Sequence, residues 1–110
     1  MELLEQVAIV TGAGRGIGRA TALELARMGA DIVAAELDGG NAERTAAEVR
    51  GLGRRALAVP TNVTSRKDLS AMVEQTRAEF GRIDILVNNA DAKHGGSRWG
   101  VWSAQRTLRT

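Results

Sequence analysis

Residues Thr11-Gly12-Ala13-Gly14-Arg15-Gly16-Ile17-Gly18 are the segment of this chain whose types and spacing speak most directly of chemistry. Glycine permits positive φ and lets the main chain come close to a ligand. The helix-patterned stretch that begins near Gly16 would aim the unpaired N–H groups and the positive dipole end of its first turn at an anion. A dinucleotide pyrophosphate suits such a site. The competing reading is a tight strand-to-helix turn without a ligand, against which four glycines within residues 12–18 weigh. No Gly-Lys-Ser/Thr follows, so a P-loop is excluded, and Gly-x-Gly-x-x-Gly read from Gly12 fails at Ile17.

A second candidate is Glu36, which follows the glycines at about the separation, roughly 20 residues, expected of the acid that holds a ribose 2′-hydroxyl. A carboxylate there accepts from the hydroxyls of NAD and repels the extra phosphate of NADP. Arg15 pulls the other way, because a guanidinium binds phosphate well. Repulsion must be removed before attraction can act, so NAD is favoured over NADP. The bland alternatives are a surface acid at a strand end for Glu36 and a solvated loop residue for Arg15.

These side chains need a scaffold, and the pattern of the first 90 residues supplies one. Strands are expected near 6–11, 31–36, 55–60 and 84–88, and helices near 16–28, 40–52 and 66–80. Ala42, Thr45, Ala46, Val49 and Leu52 recur at helical spacing, as do Leu69, Met72, Val73, Thr76 and Phe80, so each helix lays one face on a sheet. Thr64 or Ser65 can cap the third helix, and Gly29, Gly53 and Gly81 each stand just past a helix end. Strands separated by such helices demand right-handed parallel crossovers. The expected architecture is therefore a doubly wound α/β parallel sheet of order 3-2-1-4 with three crossover helices. In such sheets ligands bind outside the carboxyl ends of the strands, where Gly12, Glu36, Asn62 and Asn89 all fall.

Thr11-Gly12-x-x-x-Gly16-x-Gly18, Asn62-Val63 after the third strand and Asn88-Asn89-Ala90 at the end of the fourth stand in the order found in the short-chain dehydrogenase/reductase family, which the chain resembles over residues 5–90. The resemblance implies a partial Rossmann-like fold and hydride transfer between a nicotinamide and an alcohol or ketone. Carried over position by position, it implies that Gly12, Gly14, Arg15, Gly16, Ile17 and Gly18 surround the pyrophosphate. Asn62 and Val63 would lie beside the adenine, and Asn88, Asn89 and Ala90 near the ribose and nicotinamide. The family's Asn-Asn-Ala-Gly reads Asn88-Asn89-Ala90-Asp91 here. An Asn-rich strand exit held by local side-chain bonds is the alternative for Asn88 and Asn89.

The family's reaction also uses a tyrosine acid/base, a lysine four residues after it, a serine and a further asparagine. This chain contains no tyrosine, and no catalytic residue is assigned. Lys93 and His94 titrate usefully but sit in a Gly-rich segment without partners. At 110 residues the chain falls short of a two-halved dinucleotide-binding fold, so it reads as an amino-terminal portion, inactive alone. Residues 1–90 form the dinucleotide-binding βαβ domain and residues 91–110 an irregular basic tail. In that tail Asp91 is outnumbered by Lys93, Arg98, Arg106 and Arg109, and apolar residues show no period. It is expected not to be family sequence.

Composition is that of an ordinary globular domain, 44% hydrophobic and 25% charged. No transmembrane run or leader pattern is present, which points to the cytoplasm and away from membranes. With no cysteine there are neither disulfides nor thiolate metal sites. A net charge of +2, with arginines dispersed among acids, argues against nucleic acid. Two further readings remain open. Ile83, Ile85, Leu86 and Val87 would leave a bare sheet edge that invites a homo- or hetero-oligomer, for instance a binding or regulatory pairing with a full-length relative. A methyltransferase using S-adenosylmethionine also has a glycine turn and a strand-terminal acid, although Asn88-Asn89-Ala90 and the glycine spacing argue against it.

Overall fold

Val7, Ala8, Ile9 and Val10, and Ile32, Val33, Ala34 and Ala35, are apolar without interruption, the pattern of strands buried on both faces of a parallel sheet. In the computed structural model, which describes residues 2–89 and the backbone of residues 103–106, both runs are central strands. The order of elements is β1 (Val7–Thr11), α1 (Gly16–Arg27), β2 (Asp31–Glu36), α2 (Gly39–Gly51), β3 (Ala56–Pro60), α3 (Arg66–Phe80), β4 (Ile85–Asn88) and β5 (Ser103–Arg106). The first seven elements fall where periodicity places them, within a residue at each end.

Strands β3, β2, β1 and β4 lie side by side and parallel, so the order 3-2-1-4 stands as expected. Alternation along the strands sorts the core into two layers. Ala8, Val10, Ile32 and Ala34 meet Ala22 and Ala26 of α1 and Val49 of α2 on one face. Val7, Ile9, Val33 and Ala35, with Val59 of β3, meet Met72 of α3 on the other. The alanines on α1 let that helix approach the sheet closely.

Helix ends follow local chemistry. The Asp38 carboxylate accepts from the Asn41 N–H at 3.0 Å and caps α2, while Ser65 Oγ accepts from the Asp68 N–H at 3.1 Å and caps α3. Gly81 closes α3 at φ 79°, a conformation that disfavours a side chain.

At the amino ends of the strands, two buried acids tie neighbours together. Asp84 accepts from the Val7 N–H and from Arg82, and Asp31 accepts from the Arg55 N–H and guanidinium. The Asp84 hydrogen bond raises the Arg82 pKa above its ordinary value. The carboxyl ends open into a cleft.

One feature departs from expectation. Within the tail expected to be irregular, Ser103–Arg106 pairs antiparallel with β4, from Ile85↔Arg106 to Asn88↔Ser103, and occupies the sheet edge that the sequence left bare. The pairing is a backbone matter. The outer N–H and C=O groups of β4 need partners whatever side chains the partner carries, and Ser103-Ala104-Gln105-Arg106 has no apolar alternation to announce it.

Candidate functional site

The turn between β1 and α1 is built around close contacts that exclude side chains. A Cβ on Gly18 would stand 1.9 Å from the Gly12 carbonyl oxygen and 2.7 Å from Asn89 Nδ2. The first turn of α1 therefore passes against the ends of β1 and β4 only because Gly18 has no side chain. Gly12 and Gly16 hold φ of 66° and 61°, which turn the chain out of β1 and into the helix.

The amides of this turn divide into two sets. Those of Gly12 and Ala13 donate back to the Ala35 carbonyl, at 2.8 and 3.5 Å, and that of Gly14 donates to Glu36 Oε1 at 2.9 Å. The first intrahelical bond of α1 runs from the Arg19 N–H to the Arg15 carbonyl. The amides of Gly16, Ile17 and Gly18 precede it, and no side chain caps them. The helix terminus thus keeps its first amides free of side-chain caps, while the preceding amides hold the turn to β2.

A cleft of about 540 Å³ opens over this end, lined by Gly12, Arg15, Gly16, Glu36, Leu37, Thr61, Asn62, Val63, Thr64 and Asn89. Seven of the residues singled out from sequence meet there. Gly14 lies beneath, where a Cβ would collide with Glu36 and Asn41, and Ile17 projects at 61% exposure from the first turn. Asn88 lines a different hollow, a largely apolar one of about 460 Å³ between α3 and the sheet that also takes in Leu69, Met72 and Leu86. Ala90 lies outside the described residues, as do Lys93 and His94.

Asn88 and Asn89 are held by residues at the end of β1, far off in the chain, and Asn62 by its own turn. Thr11 Oγ1 donates toward Asn88 Oδ1 at 3.2 Å and accepts from the Asn89 N–H at 2.9 Å, so the exit of β4 is pinned to the end of β1. Asn89 Nδ2 reaches the Gly12 carbonyl at 3.4 Å. Asn62 Oδ1 accepts from both the N–H and the hydroxyl of Thr64, which closes the turn after β3.

Glu36 accepts two main-chain hydrogen bonds, from Gly14 and, at 3.2 Å, from Asp38, and these set its carboxylate in the cleft wall. Leu37 follows it at 70% exposure. Leu37 and Thr61 escaped the sequence reading, and Thr64 was read only as a possible helix cap. The signal for Leu37 was an apolar residue breaking into a polar strand exit. On the far side, Arg19 forks onto Glu48, with Nε to Oε1 at 2.8 Å, and joins α1 to α2. That hydrogen bond holds the Glu48 carboxyl below the usual carboxylate range against the opposing effect of burial, and it raises Arg19 in turn. Thr45 of α2, fully buried, donates to the Ala13 carbonyl at 2.9 Å.

A parallel α/β sheet with a glycine turn, an uncapped helix end and a strand-terminal acid around one cleft defines a nucleotide-binding class of protein. The chain belongs to the short chain dehydrogenase family, whose model matches residues 6–100. It is similar to the short chain dehydrogenase/reductase astE of Aspergillus oryzae, 51% identical over 77% of this chain and 33% of that one. Among solved structures it is similar to a hydroxysteroid dehydrogenase from Escherichia coli, at 38% identity and a TM-score of 0.79, covering 82% of this chain and 38% of the other. It also resembles an NAD+-bound xylitol dehydrogenase, at 36% identity and a TM-score of 0.76, covering 78% and 33%. The chain spans about a third of the length of the curated relatives it matches. Among the described residues no helix is long and apolar enough to cross a membrane.

Proposed function

We propose that this chain supplies the dinucleotide-binding half of a short-chain oxidoreductase site, takes NAD in preference to NADP, and does not transfer hydride by itself. The observation that carries the reading is the meeting of Gly16, at the uncapped start of α1, and the Glu36 carboxylate in the walls of one cleft. The donor set fits the cofactor's chemistry. Amides of Gly16, Ile17 and Gly18 offer N–H groups and a helix dipole to a pyrophosphate, with Arg15 beside them. Glu36 offers acceptors to ribose hydroxyls and places a negative charge where a 2′-phosphate would come. Leu37 and Val63 offer apolar surface to a flat ring, and Asn62 and Asn89 polar atoms at its margins. When bound, the cofactor would supply a nicotinamide able to accept or give up hydride. The chain's own part is to bind and orient it, because with no tyrosine nothing matches the family's proton donor.

The test is a fluorescence titration of the chain with NADH and with NADPH, followed by incubation with NADH and a panel of ketones. Saturable binding, tighter for NADH, and no turnover are expected. Failure to bind either dinucleotide, or tighter NADPH, would overturn the cofactor reading, and turnover by rigorously purified chain would overturn the inactivity.

A further inference from the structure

We propose that Thr45 is a positioning residue for the glycine turn, acting with Glu36 to clamp the Ala13–Gly14 peptide from both ends. The carbonyl oxygen of that peptide accepts from Thr45 Oγ1 at 2.9 Å, and its N–H donates to Glu36 Oε1 at 2.9 Å. Thr45 and Ala13 are both fully buried, so water cannot replace the hydroxyl as a donor. One hydrogen bond comes from α2 and the other from the end of β2, and both must be satisfied by a single orientation of the peptide plane. Turning the plane over would face the Ala13 carbonyl toward the Glu36 carboxylate, setting lone pairs against a negative charge.

The clamp has a consequence for the cleft. Glu36 lines it with Oε1 committed to Gly14 and Oε2 to the longer bond from Asp38, so the direction in which the carboxylate faces a ribose depends in part on that peptide. A hydroxyl on α2, outside the cleft lining, thereby controls the acid that the cofactor would meet. Valine has nearly the shape of threonine but cannot donate. In Thr45→Val the buried carbonyl loses its partner, the plane is released, and Gly14 no longer holds Glu36. This inference rests on the dinucleotide reading only for its effect on affinity; the clamp itself is a property of the free chain.

The experiment uses the full chain and four proteins: unaltered, Thr45→Val, Thr45→Ser and Thr76→Val. Thr76 is the control, a second fully buried threonine whose hydroxyl donates to the Met72 carbonyl at 2.8 Å within α3, away from the turn. Two quantities are read: hydrogen exchange of the Gly14 amide by NMR, and NADH affinity by fluorescence. Loss of one hydrogen bond corresponds to about a fivefold change, so Thr45→Val should speed Gly14 exchange and weaken NADH binding by about that factor. Thr45→Ser should restore both, and Thr76→Val should move neither. Unchanged Gly14 exchange in Thr45→Val, or an equal change in Thr76→Val, overturns the clamp. If the unaltered chain binds no NADH, the cofactor reading falls alone, and Gly14 exchange still decides the role of Thr45.

Discussion

Asp84 Oδ2 accepts a hydrogen bond from the Val7 N–H at 2.9 Å, joining the residue that precedes β4 to the first residue of its neighbour β1, 77 positions earlier in the chain. The Asp84 N–H returns a hydrogen bond to the Val7 carbonyl, also at 2.9 Å. The pair closes the sheet at the end opposite the cleft, with Asp84 almost fully buried.

Asp84→Ala should accordingly be costly, because it strands a buried N–H and removes the acceptor for Arg82. A loss of about 2–3 kcal/mol is expected, measured as a lower urea midpoint at unchanged slope. Asp84→Asn keeps an oxygen for Val7 and should lose less. Equal losses in the two variants would show that the charge, and not the hydrogen bond to β1, is what the site requires.

Glycines of the same chain should respond oppositely to a methyl group. Gly18→Ala puts a carbon 1.9 Å from the Gly12 carbonyl oxygen, an overlap of backbone on which no flexible side chain can give way. Destabilisation of about 1–3 kcal/mol and distortion of the turn are expected. Gly51→Ala, at the end of α2, meets nothing within 4 Å and has ordinary φ. It should stabilise by about 0.4–1 kcal/mol, chiefly through the unfolded chain. Thermal melts of both variants provide the check, and a neutral Gly18→Ala would contradict the packing described.

Replacing Glu36 tests the cofactor preference. Glu36→Gln keeps an oxygen for the Gly14 N–H but removes the charge, so NADPH should gain on NADH by about tenfold or more in the ratio of dissociation constants. Competitive titration measures that ratio directly. No movement would mean that a 2′-phosphate does not come near this side chain.

Acid should loosen the joint between α1 and α2. Because Arg19 holds the Glu48 carboxyl below its ordinary value of 4.5, the folded chain binds the proton less readily than the unfolded one. The contribution is complete above about pH 4.5 and is lost as pH falls through the depressed folded value. Comparing the pH dependence of the melting temperature for the unaltered chain and Glu48→Gln isolates it. The difference between them should shrink toward pH 3, and salt should reduce it at neutral pH.

Local pattern was enough to announce the strands, the helices and their order, because strands buried on both faces must be apolar throughout and crossover helices must carry one apolar stripe. β1, α1, β2 and α3 could be read from Val7–Val10, the glycines, Ile32–Ala35 and the Leu69–Met72–Val73–Thr76 spacing. That the glycine turn, Glu36 and Asn89 meet at one end of the sheet was legible too, since each follows the carboxyl end of a parallel strand. Spacing carries no information, however, about where a hydrogen bond points. It could not tell that Gly14 faces Glu36 while no side chain caps the start of α1 at Gly16, Ile17 and Gly18, nor that Asn88 turns from the cleft toward the hollow beside α3. Thr45 read as one more position on an inward helix face, and Ser103–Arg106 as part of a shapeless tail. Both acquire their roles from backbone groups distant in the chain, the Ala13 carbonyl and the outer edge of β4, which only the folded arrangement brings within reach.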